Sequence, residues 1–139
     1  MRTRAVSMIL AGAGLLLAAV PVWAHHAFEA EFDANKHVEL KGRVTQVEWI
    51  NPHVWIHLDV KGADGKTVNW MVEGGPPNAL LRRGFTKHSL PEGTEIAVEG
   101  YQSKDGAARA NGRDITFPDG KKLFVGSSAP VRAGEAPPQ

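Results

Sequence analysis

Residues 53–60 read HVWIHLDV, and no other stretch constrains the fold as tightly. Val54, Ile56, Leu58 and Val60 alternate with His53, Trp55, His57 and Asp59. A period of two is that of a strand with one apolar face and one polar face. Asn51-Pro52 breaks the chain just before it. Ala63-Asp64-Gly65-Lys66 follows it and reads as a hairpin turn, with Asp-Gly as its signal. Thr67 to Glu73, TVNWMVE, is then the returning strand, with Val68, Trp70 and Val72 on one face.

The rest of the middle extends this pattern. Val38 to Trp49 is rich in β-branched residues, but Val44 and Val47 fall out of phase with Val38 and Leu40. One extra residue near Thr45 and Gln46 restores the period, which predicts a β-bulge. GGPPNALLRRGF places prolines first and Gly84 last, the asymmetry of a short helix. Arg82 and Arg83 would then meet the negative end of its dipole. Such a helix is too short to stand alone, so Leu80 and Leu81 are expected to dock on the sheet. Leu90-Pro91-Glu92-Gly93 is a turn, and Thr94 to Tyr101 is a strand. Ala108 to Phe117 is a further strand that Asn111-Gly112 weakens, and Lys122 to Val125 is a last short one. Three strands, a helix and two or three strands predict an all-β fold with one short helix, a small OB-like barrel of five or six strands. An open α+β sheet is the rival. The chain has no cysteine, so the core alone must hold the domain, and any metal site must use imidazole, carboxylate or backbone groups.

The two ends read differently. Arg2 and Arg4 precede AVSMILAGAGLLLAAV, sixteen uncharged residues, and Val22-Trp23-Ala24 supplies a cleavage-like site. This is the pattern of a secretory signal over residues 1–24. The apolar run is short for a membrane anchor, which needs about 20 residues. No membrane span is therefore expected after cleavage, and the protein is expected to be periplasmic or secreted. Cleavage removes two of the sixteen Lys and Arg, leaving fourteen against fifteen Asp and Glu. A near-neutral chain without a basic block lacks the footprint of a nucleic-acid binder. Residues 25–34 form an N-terminal segment with a His pair, and residues 35–125 form one OB-like domain. Residues 126–139, poor in large apolar side chains, are expected to be a disordered tail.

His25-His26 stands just behind the signal, followed by Phe28, Phe32 and Asp33. Gly42-Arg43-Val44, Trp49, Asn51-Pro52-His53, Trp70-Met71-Val72-Glu73 and Leu80-Leu81-Arg82-Arg83-Gly84 follow in order, with a late Asp119-Gly120-Lys121-Lys122-Leu123. With this combination the chain resembles a family of exported bacterial proteins of unknown function. Phe85 departs from the pattern, which places Trp there. The resemblance implies one exported domain and draws attention to the His pair and to Asn-Pro-His. It implies no mechanism.

A mature N-terminal histidine offers an α-amine and an imidazole in one residue. Nitrogen-only ligation suits Cu(II) by affinity order, with Zn(II) or Ni(II) as alternatives. His25, His26 and His53 are the candidate copper ligands. His53 and His57 share a face, but four strand residues span about 13 Å, so at most one of them joins the N-terminal pair. His53 is preferred because it lies beside the turn. Other readings stay open: His25-His26 as a solvated start, His53 as a turn hydrogen-bonder, and Glu29, Glu31 and Asp33 as a solvated run. Glu73 either holds a histidine from behind or caps the helix that follows. A metal-free alternative uses Trp55, His57, Trp70 and Glu73 as a ligand face for a small ligand or an envelope protein, as small barrels do. Trp49, Trp55 and Trp70 can equally be packing residues. No Gly-x-Ser-x-Gly elbow, cysteine nucleophile or His-Glu-x-x-His helix appears, so nothing in the sequence points to catalysis.

Overall fold

A computed structural model describes residues 27–126. His25, His26, the signal segment and, of the C-terminal tail read from the sequence, residues 127–139 lie outside the described residues. The elements are a helical turn α1 (27–31), β1 (Phe32–Glu48), β2 (Trp55–Lys61), β3 (Thr67–Glu73), α2 (Pro77–Arg82), β4 (Glu95–Ser103), β5 (Arg109–Thr116) and β6 (Lys122–Phe124).

The strands form one sheet in the order β3-β2-β1-β4-β5-β6, and β3 pairs with β5 as well. That extra pairing, parallel through Met71 to Glu73 against Arg109 to Asn111, closes a ring of five strands. The all-β, OB-like reading is met in strand number and in the helix between β3 and β4. The expectation of a single helix is corrected by α1.

The alternation seen in the sequence builds the core. Val54, Ile56 and Leu58 are fully buried and share one core cluster with Val72 and Val98. β1 needs its bulge because it lies against β2 on one side and β4 on the other. The register slips between Val44 and Gln46, so that Val44 and Val47 both turn inward despite their spacing. Closing a five-stranded ring also demands close backbone crossings. A Cβ on Gly42 would stand 2.2 Å from the Asp59 carbonyl oxygen, and one on Gly100 would stand 2.2 Å from that of Asn111. Only glycine fits at these two crossings.

Three local expectations differ. β1 begins at Phe32 rather than Val38, inside the segment read as preceding the domain. Leu80 is buried, but Leu81 is exposed, because a six-residue helix presents only about one and a half turns and one side of them to the sheet. Asn111-Gly112 does not weaken β5: both are buried within it. Arg82 does lie in the last turn of α2, while Arg83 caps it and donates from Nη1 to the Gly126 carbonyl, 3.1 Å away.

A second, smaller apolar cluster sits outside the ring. Phe28 of α1, Phe32 and Tyr101 are buried together, with Phe28 edge-on to Tyr101 at 5.6 Å between ring centroids. Lys104 fastens α1 through its backbone N–H to the Glu31 carbonyl and its ammonium to that of Glu29.

Candidate functional site

The outer face of the ring gathers the polar residues. Strand register sets Tyr101 beside Asn111, Asn111 beside Glu73, Glu73 beside Trp55 and Trp55 beside Glu48. His37 continues the row beyond Tyr101, its ring edge-on to the tyrosine at 5.7 Å. The next row holds Gln46, His57, Met71 and Arg109.

His53 lies just ahead of β2 and reaches the end of β3. Its Nδ1 meets Glu73 Oε1. The other carboxylate oxygen, Oε2, accepts from Asn111 Nδ2 at 3.2 Å. Glu73 is therefore held at both oxygens, and its side chain is only 10% exposed. Of the two roles weighed for Glu73, the structure shows contact with a histidine, and α2 has no side-chain cap. Asn111 Oδ1 is buried without a hydrogen-bond partner among the described residues. Such an orphaned acceptor is uncommon in a folded chain and carries a desolvation cost. With Nδ1 occupied, His53 keeps Nε2 as its remaining ring nitrogen, on a side chain that is one-third exposed.

His57 has a carboxylate of its own. Its Nε2 lies 2.6 Å from Glu48 Oε1. The two histidines on the face are thus served by different glutamates, in keeping with the separation expected between them. His53, Trp55, His57 and Glu73 stand on or beside the outer face. Trp70 does not: it is opposite Leu58 in the register and packs against the core. The ligand face read from the sequence therefore loses Trp70. The inward alternation of Val68, Trp70 and Val72 already carried that signal. Trp49 also packs against the core, with Phe85 5.9 Å away. Phe85 is buried, so the departure from Trp there falls at a packing position.

Of the acidic run, Glu29 and Glu31 are exposed, and Asp33 accepts from the Asn35 N–H at 2.9 Å. His88 is exposed at a turn closed by Thr86 and Ser89. Among the described residues no three His, Cys, Asp or Glu side chains form a metal-holding group. Two of the three copper candidates, His25 and His26, lie outside those residues. No helix among the described residues is long and apolar enough to cross a membrane.

Sequence reasoning missed Asn111, which binds Glu73, and Tyr101, which carries α1. Asn111 looks from sequence like the first half of an Asn-Gly turn, and only the β3–β5 closure reveals its partner. Toward the β2–β3 hairpin, an open groove of about 720 Å³ runs past Lys41, Arg43, Asp59 and Lys61. Its charges are largely engaged: Arg43 meets Glu95 at 3.0 Å, and Asp59 accepts from Asn69 at 2.8 Å.

A family model described as a family of unknown function, DUF6152, matches residues 13–112. The chain belongs to this family. No curated protein matches the chain, and no solved structure does. Membership in DUF6152 carries no activity, so function must be argued from the residues on the outer face.

Proposed function

We propose that this DUF6152 protein is an exported binding protein that takes up Cu(II) through His25, His26 and His53. The observation that carries this reading is the bracing of His53. A carboxylate on one ring nitrogen fixes the tautomer and orientation of a histidine and raises the basicity of the other nitrogen, the usual support behind a metal-bound imidazole. Glu73, itself held by Asn111, stands in that relation to His53 Nδ1. Chain connectivity supports the rest. Phe28 is anchored on Tyr101, and His26 is two residues away, a reach of about 7 Å. Tyr101 and Glu73 are separated by two strand spacings, about 10 Å. The α-amine of His25, freed by removal of residues 1–24, would complete a nitrogen-rich set that suits Cu(II).

The test is Cu(II) titration of untagged protein beginning at His25, followed by electron paramagnetic resonance. Wild type should bind one Cu(II) with nitrogen hyperfine structure, and His25→Ala and His53→Ala should each weaken binding about tenfold or more. Equal affinity in all three, or an intact mass showing that the exported chain begins elsewhere, would overturn the copper reading.

A second reading, a metal-independent module for a small ligand or an envelope protein, is favoured by the open groove near the hairpin. Under it, Trp fluorescence responds to a sugar or peptide and is indifferent to chelators.

A further inference from the structure

The outer face carries a second donor pair that the Cu(II) reading does not use. Met71 is 36% exposed on the middle of β3. Methionine is an ordinary core filler, and an exposed one on a strand buries little. In the register Met71 stands directly opposite His57. Such cross-strand partners have Cβ atoms about 5 Å apart, close enough for a thioether with three rotatable bonds and an imidazole to share one ion. The imidazole is already positioned: Glu48 Oε1 holds Nε2 at 2.6 Å, which leaves Nδ1 without a hydrogen-bond partner among the described residues. A carboxylate behind one nitrogen with the other unused is the arrangement that supports a metal-bound histidine. Arg109, the register partner of Met71 on the other side, turns its guanidinium away toward Glu31, Asp105 and the Phe32 ring.

We propose that His57 Nδ1 and Met71 Sδ form a binding site for a soft monovalent ion, Cu(I), separate from the Cu(II) site. A thioether is a poor ligand for Cu(II) and other hard or borderline ions and a good one for Cu(I). Two donors suffice for an ion that accepts linear coordination. The chain from His25 on has no cysteine, and Met71 is its single methionine. Sulfur coordination in that chain can therefore come from one atom.

This makes the test decisive. The protein used is residues 25–139, which carries every element described above. Cu(I) is added under anaerobic conditions, with Ag(I) as a redox-silent parallel, in competition with a chromogenic chelator. X-ray absorption at the copper edge should show a sulfur neighbour in wild type and none in Met71→Leu. The same variant should bind Cu(I) and Ag(I) about tenfold or more weakly, while its Cu(II) resonance spectrum stays that of wild type. Glu48→Gln, which leaves both donors in place, should weaken Cu(I) binding by less. A Cu(I) shell of nitrogen and oxygen alone, or unchanged Cu(I) affinity in Met71→Leu, would overturn the proposal. Because Leu keeps the bulk of Met on an open strand face, the variant is expected to fold, and an unchanged circular dichroism spectrum confirms it. Loss of Cu(II) binding in His25→Ala with Cu(I) binding intact separates this site from the N-terminal one, so either can fail alone.

Discussion

His53 and His57 lie on one side of one short run of chain, and each gives a ring nitrogen to a glutamate. Their surroundings differ. Glu73, behind His53, uses both oxygens, one for the histidine and one for Asn111, and is nearly covered. Glu48, behind His57, uses one, and its side chain is one-third exposed. The difference follows from the closing of the ring. Glu73 sits where β3 meets β5, so a third strand supplies Asn111 as a buried donor. Glu48 sits at the end of β1, where β2 is its strand partner and the pairing with β4 has already ended. The same two residue types thus make a cluster braced from a third strand in one place and a half-buried pair without such a brace in the other. A polar pair near the surface contributes little, while a buried polar network is costly to leave half made.

The largest expected effect is therefore at Glu73. Glu73→Ala strands His53 Nδ1 and Asn111 Nδ2 together, beside an Asn111 oxygen that already lacks a partner among the described residues. Leaving a buried polar group unpaired costs about 1–3 kcal/mol, and with His53 one-third exposed the cost falls mainly at Asn111, so a loss of about 1–3 kcal/mol in urea unfolding is expected. A loss below about 1 kcal/mol would show that the cluster is as solvated as an ordinary surface pair.

Glu48→Ala is the matching change at the other pair and should be milder. Exposed or half-exposed pairs contribute about 0–1 kcal/mol, and removing Glu48, itself one-third exposed, leaves no buried amide without its partner. Unfolding of this variant should shift by less than about 1 kcal/mol. If Glu48→Ala were as damaging as Glu73→Ala, support from a third strand would not be what separates the two sites.

The contrast also explains what could be read in the sequence. The faces of β2 follow from alternation alone, and so does the bulge of β1, because valines out of phase are a one-dimensional signal. Glu73 as a partner for a histidine is within reach, since it closes a strand beside the Asn-Pro-His turn. Asn111 is not, because its role depends on the parallel β3–β5 pairing, and Asn-Gly in isolation speaks for a turn. The start of β1 at Phe32 is hidden for a related reason. Residues 33–37 carry no large apolar side chain, and only the docking of Phe28 and Phe32 on Tyr101 makes that stretch part of the sheet. Trp70 is a different case: its place opposite Leu58 was legible, and the attraction of tryptophan as a binding platform obscured it.

The smallest effect sharpens the comparison from outside it. Asp105 lies exposed in the β4–β5 turn, and its carboxyl is held below the ordinary 3.8, chiefly by the Ser103 hydroxyl and then by the Ala107 N–H. Ser103 Oγ donates to Asp105 Oδ1 at 2.6 Å and the Ala107 N–H at 3.0 Å. A carboxyl whose folded pKa lies below its unfolded value binds protons more weakly when folded. Its stabilisation is therefore full above the unfolded pKa and is lost as pH falls through the folded one. Asp105→Asn should lower stability near neutrality and flatten its fall below about pH 4, where wild type loses the same contribution. Chemical unfolding from pH 6 down to pH 2 measures this directly. An acid limb as steep in Asp105→Asn as in wild type would assign that slope to other carboxylates. A flattened limb supplies the background in which Glu73→Ala and Glu48→Ala can be compared at low pH without the turn's own titration.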